Sequence, residues 1–356
     1  MKNSGNKKVL FLSLSGIGNL IMQLPAIKVV KDVHPDWHIT VCVAPRGTKS
    51  IAQAQSYIDE VIEMPIKASM LKHAKNILAL QKHHFDIGVV LSPGQLLKSA
   101  LYLFLSGIPV RIGHAYPFRG RQHADNFLTQ ALIEKPQMHD IEQNLELVES
   151  LLSEPVRFGT YDFQIPEHSI EEAQYLLQSL VHSAVSSPIF IGFHPGSAKG
   201  FTWKRWPLER FAEVARALHK KNPNTIFLIF GSNDEEQQKR ELVNMINEHA
   251  PSAAFHITAP LLTTAAIMKR CSLFISNDSG LMHIASAIDI PTIGLFGPTD
   301  ERQTGPRGSH SAALRSQGTQ PVYNTESAPS FGNTAHSSIL EISSKFVLDN
   351  IPSNVL

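Results

Sequence analysis

The chain lacks the features that mark several common protein classes. Its 356 residues include only two cysteines, Cys42 and Cys271, and both lie in apolar, strand-like runs. They are typical of reduced core residues in a cytosolic protein and not of a disulfide framework. No run of about 18 apolar residues is present, so no transmembrane helix is expected. The polar segment from Met1 to Lys8 leads directly into a strand, which is not the pattern of a signal peptide.

The chain also lacks an excess of either charge. It has 32 Lys and Arg against 31 Asp and Glu, and a net charge of +1 excludes a bulk nucleic-acid binder. No Asp-x-Asp pair is available to hold a divalent ion against a diphosphate, and no Cys/His cluster has zinc spacing. We therefore expect no metal ion and no cofactor.

Composition and length indicate a globular enzyme of two domains. Hydrophobic residues make up 43% of the chain and charged residues 18%, and 356 residues are too many for one core. In the first half, an apolar run from Val9 to Leu14 ends in a glycine turn at residues 15–19, and a helix follows. The other elements predicted there are strands at Ile39–Ala44 and Ile87–Leu91, and helices around 66–83 and 96–105.

A second series of strands and helices begins after Pro188. Its predicted elements are strands at Ile189–Phe193, Thr225–Phe230 and Ala253–Ile257, and helices at Leu208–Lys221 and from about Asp234. Two doubly wound α/β domains with parallel sheets are therefore expected, over residues 1–170 and 185–335. Polar residues dominate 305–338 and indicate a loop there. Residues 336–356 include an amphipathic segment that predicts a C-terminal helix, which we expect to pack back toward the N-terminal domain.

The segment from Phe274 to His283 has the strongest functional pattern. It predicts a buried strand, a polar turn at Asp278, Ser279 and Gly280, and then a helix. In an open parallel sheet such a turn lies at the carboxyl end of a strand, where ligands bind. The unpaired N–H groups at the start of the helix favour an anion such as a phosphate. The segment therefore predicts a site for a nucleotide-like ligand.

Three segments of the chain form a set with a particular order and spacing. They are GIGNLIMQLPA at residues 16–26, HPGS at 194–197 with KRWP at 204–207, and NDSGLMH at 277–283 with FGPT at 296–299. The set resembles glycosyltransferase family 9, the bacterial heptosyltransferases of lipopolysaccharide synthesis, over roughly residues 8–305. One short motif would be weak, but three in order make a strong case.

The resemblance implies a GT-B-type fold of two facing Rossmann-like domains, with the sugar donor bound to the C-terminal domain. Transfer in this family inverts the anomeric centre and needs no metal. The implied donor is a nucleotide-diphosphate sugar such as ADP-heptose, and the implied acceptor is a glycan or a lipid-linked glycan. The expected location is the cytoplasm, with peripheral contact at the inner face of the inner membrane.

Lys204 is the candidate to neutralise the leaving diphosphate. The alternative is a solvated Lys204-Arg205 loop, and for Arg205 we favour that alternative. Asp278 either contacts the ligand or caps the following helix, a role that Ser279 could take instead. His283 is either a core residue or a hydrogen-bond donor to the ligand. The remaining donor-site candidates are His194, Gly196, Ser197, Gly280, Leu281 and one of Glu235 and Glu236, between which the sequence does not choose.

Asn19 is the most consequential departure from the family. The resemblance implies an aspartate here that deprotonates the acceptor hydroxyl, and an amide cannot accept that proton at neutral pH. Three explanations stay open: another base acts, with His114, His194 and Asp86 as candidates; Asn19 only orients the acceptor; or catalysis is lost. A cysteine cluster that the family often has before its final helix is also absent from residues 320–338.

Acceptor recognition is expected in the N-terminal domain. The candidates are Gly18, Arg46, Lys98 and Arg111, and the wider basic set adds Lys49, Arg119 and Arg121. Ordinary surface charge is the alternative for any one of them. Two rival functions follow from the same sequence: a family member with another sugar and a non-lipopolysaccharide acceptor, or a nucleotide-sugar-binding protein without turnover.

Overall fold

The computed structural model describes residues 5–45, 47–65, 68–94, 96–116, 124–181, 187–322, 331–353 and 355. The chain divides into two compact units, Met1–Gln164 and Ile165–Leu356. The boundary falls a few residues before the end of the predicted first domain. It does so because the helix Glu167–Leu180 packs within the second unit, where Thr263 donates to Glu172 Oε2 over 2.6 Å.

The first unit is a six-stranded parallel sheet with helices in the connections. Its strands are β1 Lys8–Ser13, β2 His38–Val43, β3 Glu60–Glu63, β4 Ile87–Val90, β5 Val110–Ala115 and β6 Gln130–Ile133, in the order β3-β2-β1-β4-β5-β6. Its helices are α1 Ile17–Val33, α2 Thr48–Gln53, α3 Met70–His83, α4 Leu96–Leu105 and α5 Asp140–Leu152.

The second unit repeats this architecture. Its strands are β7 Ile189–His194, β8 Thr225–Ile229, β9 Ala254–His256, β10 Cys271–Asn277, β11 Thr292–Leu295 and β12 Ser311–Leu314, in the order β12-β11-β10-β7-β8-β9. Its helices are α6 Glu167–Leu180, α7 Leu208–Lys221, α8 Glu236–Asn247, α9 Leu261–Met268, α10 Gly280–Ala287, α11 Glu301–Thr304, α12 Ser337–Leu340 and α13 Ser344–Asp349. The predicted pair of doubly wound α/β units is confirmed.

The central strands are short apolar runs buried on both faces. In β1, every residue after Lys8 is buried, and β4 is buried throughout. This pattern is typical of parallel sheets that are covered by helices on both sides. Cys42 and Cys271 lie in β2 and β10 as buried free thiols, in agreement with the expectation of reduced core residues.

Each sheet has one point where the order of its strands reverses. In the first sheet β1 lies between β2 and β4, and in the second sheet β7 lies between β8 and β10. Ligands bind to open α/β sheets outside the carboxyl ends of the strands at such points. The glycine turn after β1 and the polar turns after β7 and β10 therefore lie at the two positions where a ligand site is expected.

The sequence patterns missed β3, β5, β6 and β12. Three of these, β3, β6 and β12, are edge strands of four residues with few buried side chains, so their apolar pattern is weak. β5 begins with exposed Val110 and half-buried Arg111. β12 lies inside the segment 305–338, so the prediction of an uninterrupted loop there was wrong.

The C-terminal segment forms two short helices, α12 and α13. Buried Ile339, Ile342 and Val347 join the apolar core of the second unit, and α13 packs against α7. The indole N–H of Trp206 donates to the carbonyl of Ile342 over 2.8 Å. The apolar side of the segment therefore completes the core of the second unit.

Candidate active site

The turns after β7 and β10 meet at the strand-order reversal of the second sheet. His194 ends β7, and its Nδ1 lies 2.8 Å from the hydroxyl oxygen of Ser279 and 3.4 Å from that of Ser276. All three side chains are buried. The structure brings together His194 and Ser279, both predicted site residues, and adds Ser276 to them.

Asn277 holds the surrounding loops in place. Its Nδ2 donates to the carbonyls of Pro195 (2.7 Å) and Gly196 (3.2 Å), and its Oδ1 accepts from the backbone N–H of Trp206 (3.0 Å). One buried amide therefore fixes both motif loops to the end of β10. Asn277 lies in the motif at 277–283, but the sequence did not reveal its role because an Asn after a strand is equally typical of a turn.

Lys204 and Asp278 form an ion pair beside these loops. The Lys204 ammonium donates to Asp278 Oδ2 over 2.6 Å, and its Nζ lies 5.3 Å and 5.6 Å from the ring centroids of Phe201 and Trp203. Burial opposes the charged form of Asp278, but Lys204 outweighs it and holds the carboxyl pKa below its usual value. The Lys204 ammonium is thus fixed by Asp278 at the predicted donor site and is not part of a solvated loop.

The hydroxyl of Ser279 caps α10 by accepting from the Met282 N–H over 3.4 Å. Asp278 is therefore not the cap, and its carboxylate is available for Lys204. Gly280 and Leu281 form the first turn of α10, where backbone N–H groups favour an anion. The Lys204 ammonium thus contacts the Asp278 carboxylate, and α10 begins two residues after Asp278.

Glu235 lies against the turn after β7. Its Oε2 accepts from the N–H (2.7 Å) and the hydroxyl (2.9 Å) of Ser232 and is 3.5 Å from Nε2 of His194. Burial opposes its charged form, but His194 and Ser232 outweigh burial and lower its pKa to about 2. A Cβ on Gly196 would lie 1.8 Å from Glu235 Oε1, so any side chain there would displace the Glu235 carboxylate.

Glu236 has a different environment. It pairs with Lys239 over 2.8 Å and with Arg240 over 2.8 Å, and these hydrogen bonds lower its pKa to about 2. It therefore braces α8, whereas Glu235 contacts His194. Between the two acids that the sequence left open, the structure places Glu235 with the other site residues.

Arg205 and Ser197 support the site from within the protein. Arg205 Nε donates to the Ser197 hydroxyl (3.0 Å), its Nη1 donates to Gln238 (2.8 Å), and the Ser197 hydroxyl donates to the Phe201 carbonyl (2.8 Å). The interpretation of Arg205 as solvated is corrected, because its guanidinium is half-buried and ties the 197–205 loop to α8. A ligand contact by the Ser197 hydroxyl would compete with these bonds.

His283 is buried one turn into α10 and carries no charge at neutral pH. Burial lowers its pKa to about 4, with Lys204 acting in the same direction and Asp278 opposing them. A neutral imidazole still has one N–H, so donation to a ligand oxygen stays possible, but no cationic role at pH 7 is available to it.

This burial makes a pH-dependent contribution to stability. The unfolded histidine takes up a proton at about pH 6.5, whereas folded His283 does so only at about pH 4. The unfolded state therefore binds more protons between these values, and stability is lost as pH falls through that window. From pH 7 to pH 5 we expect a loss of about 2 kcal/mol from this group.

Denaturation followed by the fluorescence of Trp203 and Trp206 should show that His283→Gln has a smaller stability difference between pH 7 and pH 5 than the wild type. NMR titration of the imidazole gives the pKa directly. An equal dependence of stability on pH in the two proteins, or an imidazole pKa near 6.5, would contradict the burial of a neutral imidazole.

In the first unit, Gly18 and Asn19 lie in the first turn of α1, and both are half-buried. Gln23, one turn further, is buried, accepts from the Ser13 hydroxyl and donates to the Ser92 carbonyl over 3.0 Å. No side chain caps α1, so its first N–H groups are not occupied by a cap. Gln23 thus links the end of β1 to the loop after β4.

The three alternative bases differ in their location. His114 is buried near the carboxyl end of β5, on the same sheet edge as Asn19. Asp86 precedes β4 and accepts from the Lys8 N–H over 2.7 Å, which places it at the opposite, amino edge. His194 belongs to the buried network of the second unit. Among the three, only His114 lies at the carboxyl ends of the strands, where Asn19 also lies.

The proposed acceptor residues Lys98 and Arg111 lie at opposite ends of the strands of the first sheet. Lys98 lies half-buried in the first turn of α4, after the carboxyl end of β4. Arg111 is the second residue of β5 and lies at the amino edge, where its guanidinium donates to the carbonyls of Phe127 and Ile108. We therefore withdraw Arg111 from the acceptor site. Arg46, Arg119 and Arg121 lie outside the described residues.

The described ranges of the chain contain no group of three or more His, Cys, Asp or Glu side chains that could hold a metal ion. No helix in the described part of the chain is long and apolar enough to cross a membrane.

Comparison with known proteins gives the family. The sequence model of "Glycosyltransferase family 9 (heptosyltransferase)" matches residues 71–333. The lipopolysaccharide heptosyltransferase 2 of Salmonella typhimurium is 24% identical over 97% of this chain and 98% of its own length. The lipopolysaccharide heptosyltransferase 2 of Escherichia coli is also 24% identical, over 98% of this chain and 99% of its own.

Solved structures match the fold over nearly the whole chain. The E. coli ADP-heptose lipopolysaccharide heptosyltransferase II superposes with a TM-score of 0.75 at 22% identity, and the match covers 96% of both chains. A family 9 glycosyl transferase from Veillonella parvula superposes with a TM-score of 0.79 at 24% identity, over 96% of this chain and 95% of its own. Because a family model spans well over half of the sequence and the fold agrees, this chain is a glycosyltransferase with a GT-B-type fold and belongs to glycosyltransferase family 9.

Proposed function

We propose that the protein transfers heptose from ADP-heptose, with inversion, to a hydroxyl of a lipopolysaccharide-type acceptor. The names of the relatives support the donor and acceptor classes. The observation that carries the proposal is the Lys204–Asp278 pair at the start of α10, because it sets a cation and helix N–H groups where a diphosphate would lie.

The proposed reaction forms one bond and breaks one bond at the anomeric carbon. The acceptor hydroxyl oxygen attacks that carbon as the bond to the diphosphate oxygen breaks, and the nucleotide diphosphate leaves with the electron pair. The hydroxyl proton passes to a base other than Asn19, for which His114 is the candidate. Lys204 and the α10 N-terminus stabilise the charge that develops on the leaving phosphate. Glu235, ionised beside His194, is proposed to accept a hydrogen bond from a ribose hydroxyl.

Neither a metal ion nor a cofactor is part of this proposal. Protein groups neutralise the diphosphate instead, and the lysine is the principal one. The proposed place of action is the cytoplasmic face of the inner membrane, with peripheral contact, because a lipid-linked acceptor is anchored there.

The test is transfer from a panel of nucleotide-diphosphate sugars to heptose-containing lipid-linked acceptors, followed by mass spectrometry. ADP-heptose should give product, and the rate should be the same with EDTA as without it. Thermal shift provides a binding readout, since a ligand at 100 times its Kd adds about 2.7 kcal/mol of stability. Loss of activity on chelation that magnesium restores would contradict the proposed absence of a metal.

Asn19 favours a second candidate, a nucleotide-sugar-binding protein without turnover. Its amide occupies the position where the family has a base. Binding of nucleotide-diphosphate sugars without transfer or donor hydrolysis, by both the wild type and Asn19→Asp, would favour this candidate.

A further inference from the structure

The helix α3 presents large apolar side chains to solvent. Met70 is 89% exposed, Leu71 69% and Leu78 56%. Leu80 is buried in the core of the first unit, and at 3.6 residues per turn Leu71 and Leu78 lie on the opposite side of the helix. α3 therefore packs one apolar side against its own unit and exposes a second apolar side to solvent.

The charges of α3 are all of one sign. Lys72, Lys75 and Lys82 are exposed, and residues 70–83 contain no Asp or Glu. Lys75 and Lys82 fall on the same side of the helix as Leu71 and Leu78. Lysine stems can lie along apolar surface while the ammonium groups reach a polar layer.

α4 extends this surface. Leu97, Phe104 and Leu105 are 41%, 47% and 42% exposed, and this helix also has no acidic residue. Gln81 of α3 donates to the Leu105 carbonyl over 2.8 Å, so the C-terminal ends of the two helices lie next to each other. Residues 70–83 and 97–105 together are called the α3–α4 surface.

We propose that the α3–α4 surface docks the protein onto an anionic lipid bilayer. The exposed leucines and phenylalanine enter the head-group layer, and the lysines contact the anionic head groups. The proposal rests on the proposed function, in which the acceptor is lipid-linked. α3 and α4 follow β3 and β4 and begin at the sheet edge that carries Asn19, so docking brings this edge to the acceptor.

Charge distinguishes a bilayer from a second copy of the chain. Two copies that paired through this surface would bring Lys72, Lys75 and Lys82 against the same residues of the partner, and like charges in contact are unfavourable. An anionic bilayer complements both the lysines and the apolar side chains between them. The lipid surface is therefore the occupant to which the proposal commits.

The test is cosedimentation of the full chain with vesicles of phosphatidylcholine, or of equal parts phosphatidylcholine and phosphatidylglycerol. The wild type should bind the anionic vesicles much more tightly. Lys72→Gln/Lys75→Gln/Lys82→Gln should weaken this binding about 100-fold, at about fivefold for each lysine. Leu71→Ser/Leu78→Ser should weaken it at least tenfold.

The controls replace one exposed large hydrophobic side chain and two exposed lysines in the second unit. Tyr175, which is 73% exposed, is replaced in Tyr175→Ser, and the exposed pair in α7 is replaced in Lys220→Gln/Lys221→Gln. Both controls should bind vesicles like the wild type. In about 1 M salt, where the Debye length is about 3 Å, the wild type should bind like the triple lysine variant.

Three results would overturn the proposal. They are no preference of the wild type for anionic vesicles, equal binding by the surface variants and the controls, or self-association that Leu71→Ser/Leu78→Ser abolishes. The surface variants should keep the wild-type thermal shift with ADP and the transfer rate to a delipidated acceptor. A wild type that binds no nucleotide diphosphate would instead count against the proposed function, whatever the vesicles show.

Discussion

Replacing Asn19 with aspartate is expected to raise the rate of sugar transfer by about 10²- to 10⁴-fold, the usual contribution of a general base. Asn19 lies in the first turn of α1, a turn that contains no acidic residue and no side-chain cap. A carboxylate there is favoured by the helix dipole, by about 0.3–1 kcal/mol, and stays ionised at neutral pH. The fold should therefore tolerate Asn19→Asp without loss of stability.

Steady-state kinetics on a heptose-type acceptor measure the effect. The gain should appear in kcat and kcat/KM together, because the interaction exists only in the transition state, and it should grow as pH rises through the pKa of the new carboxyl group. Asn19→Ala is the control and should not accelerate transfer. If the wild type turns over quickly and Asn19→Asp is neutral, the base lies elsewhere, and His114→Gln is the next variant.

Removing the charge of Lys204 is expected to affect stability and donor binding separately. Lys204→Met leaves Asp278 buried without its partner, which should cost about 3 kcal/mol of unfolding free energy. It should also weaken nucleotide-diphosphate binding about 10- to 100-fold, the value of a hydrogen bond to a charged group, while nucleoside binding is nearly unchanged.

A second substitution separates the two effects. In Lys204→Met/Asp278→Asn no carboxylate is left buried, so much of the lost stability should return while diphosphate affinity stays low. Denaturant unfolding and calorimetric titration with ADP and adenosine measure the two quantities. Equal losses for ADP and adenosine would refute a phosphate role for Lys204 and leave a purely structural ion pair.

The order of strands and helices was largely predictable from the sequence. The strands at the centre of each sheet are apolar runs that end in glycine or polar turns, and such runs have few alternative structures. The cluster of His194, Asp278 and Ser279 was predictable for the same reason, because these residues lie at or just after the ends of buried strands. Parallel strands in one sheet bring such residues to the same edge.

What the sequence could not give is which partner each polar group takes. Ser279 and not Asp278 caps α10, Arg205 braces a loop, and Glu236 pairs along its own helix. These choices depend on contacts between segments distant in sequence, for which the chain offers several chemically equal partners. Arg111 was misplaced because the missed strand β5 puts it at the amino edge.

Trp206 links the C-terminal helices to the loop that carries Lys204. Its backbone N–H is fixed by Asn277 and its ring N–H by the carbonyl of Ile342, so one residue joins the lysine-bearing loop to the C-terminal helices. A truncation or an insertion within α12 and α13 is therefore expected to disturb the loop that carries Lys204. For protein engineering, these two helices are not a neutral place to attach a fusion partner, although they lie far in sequence from every proposed ligand contact.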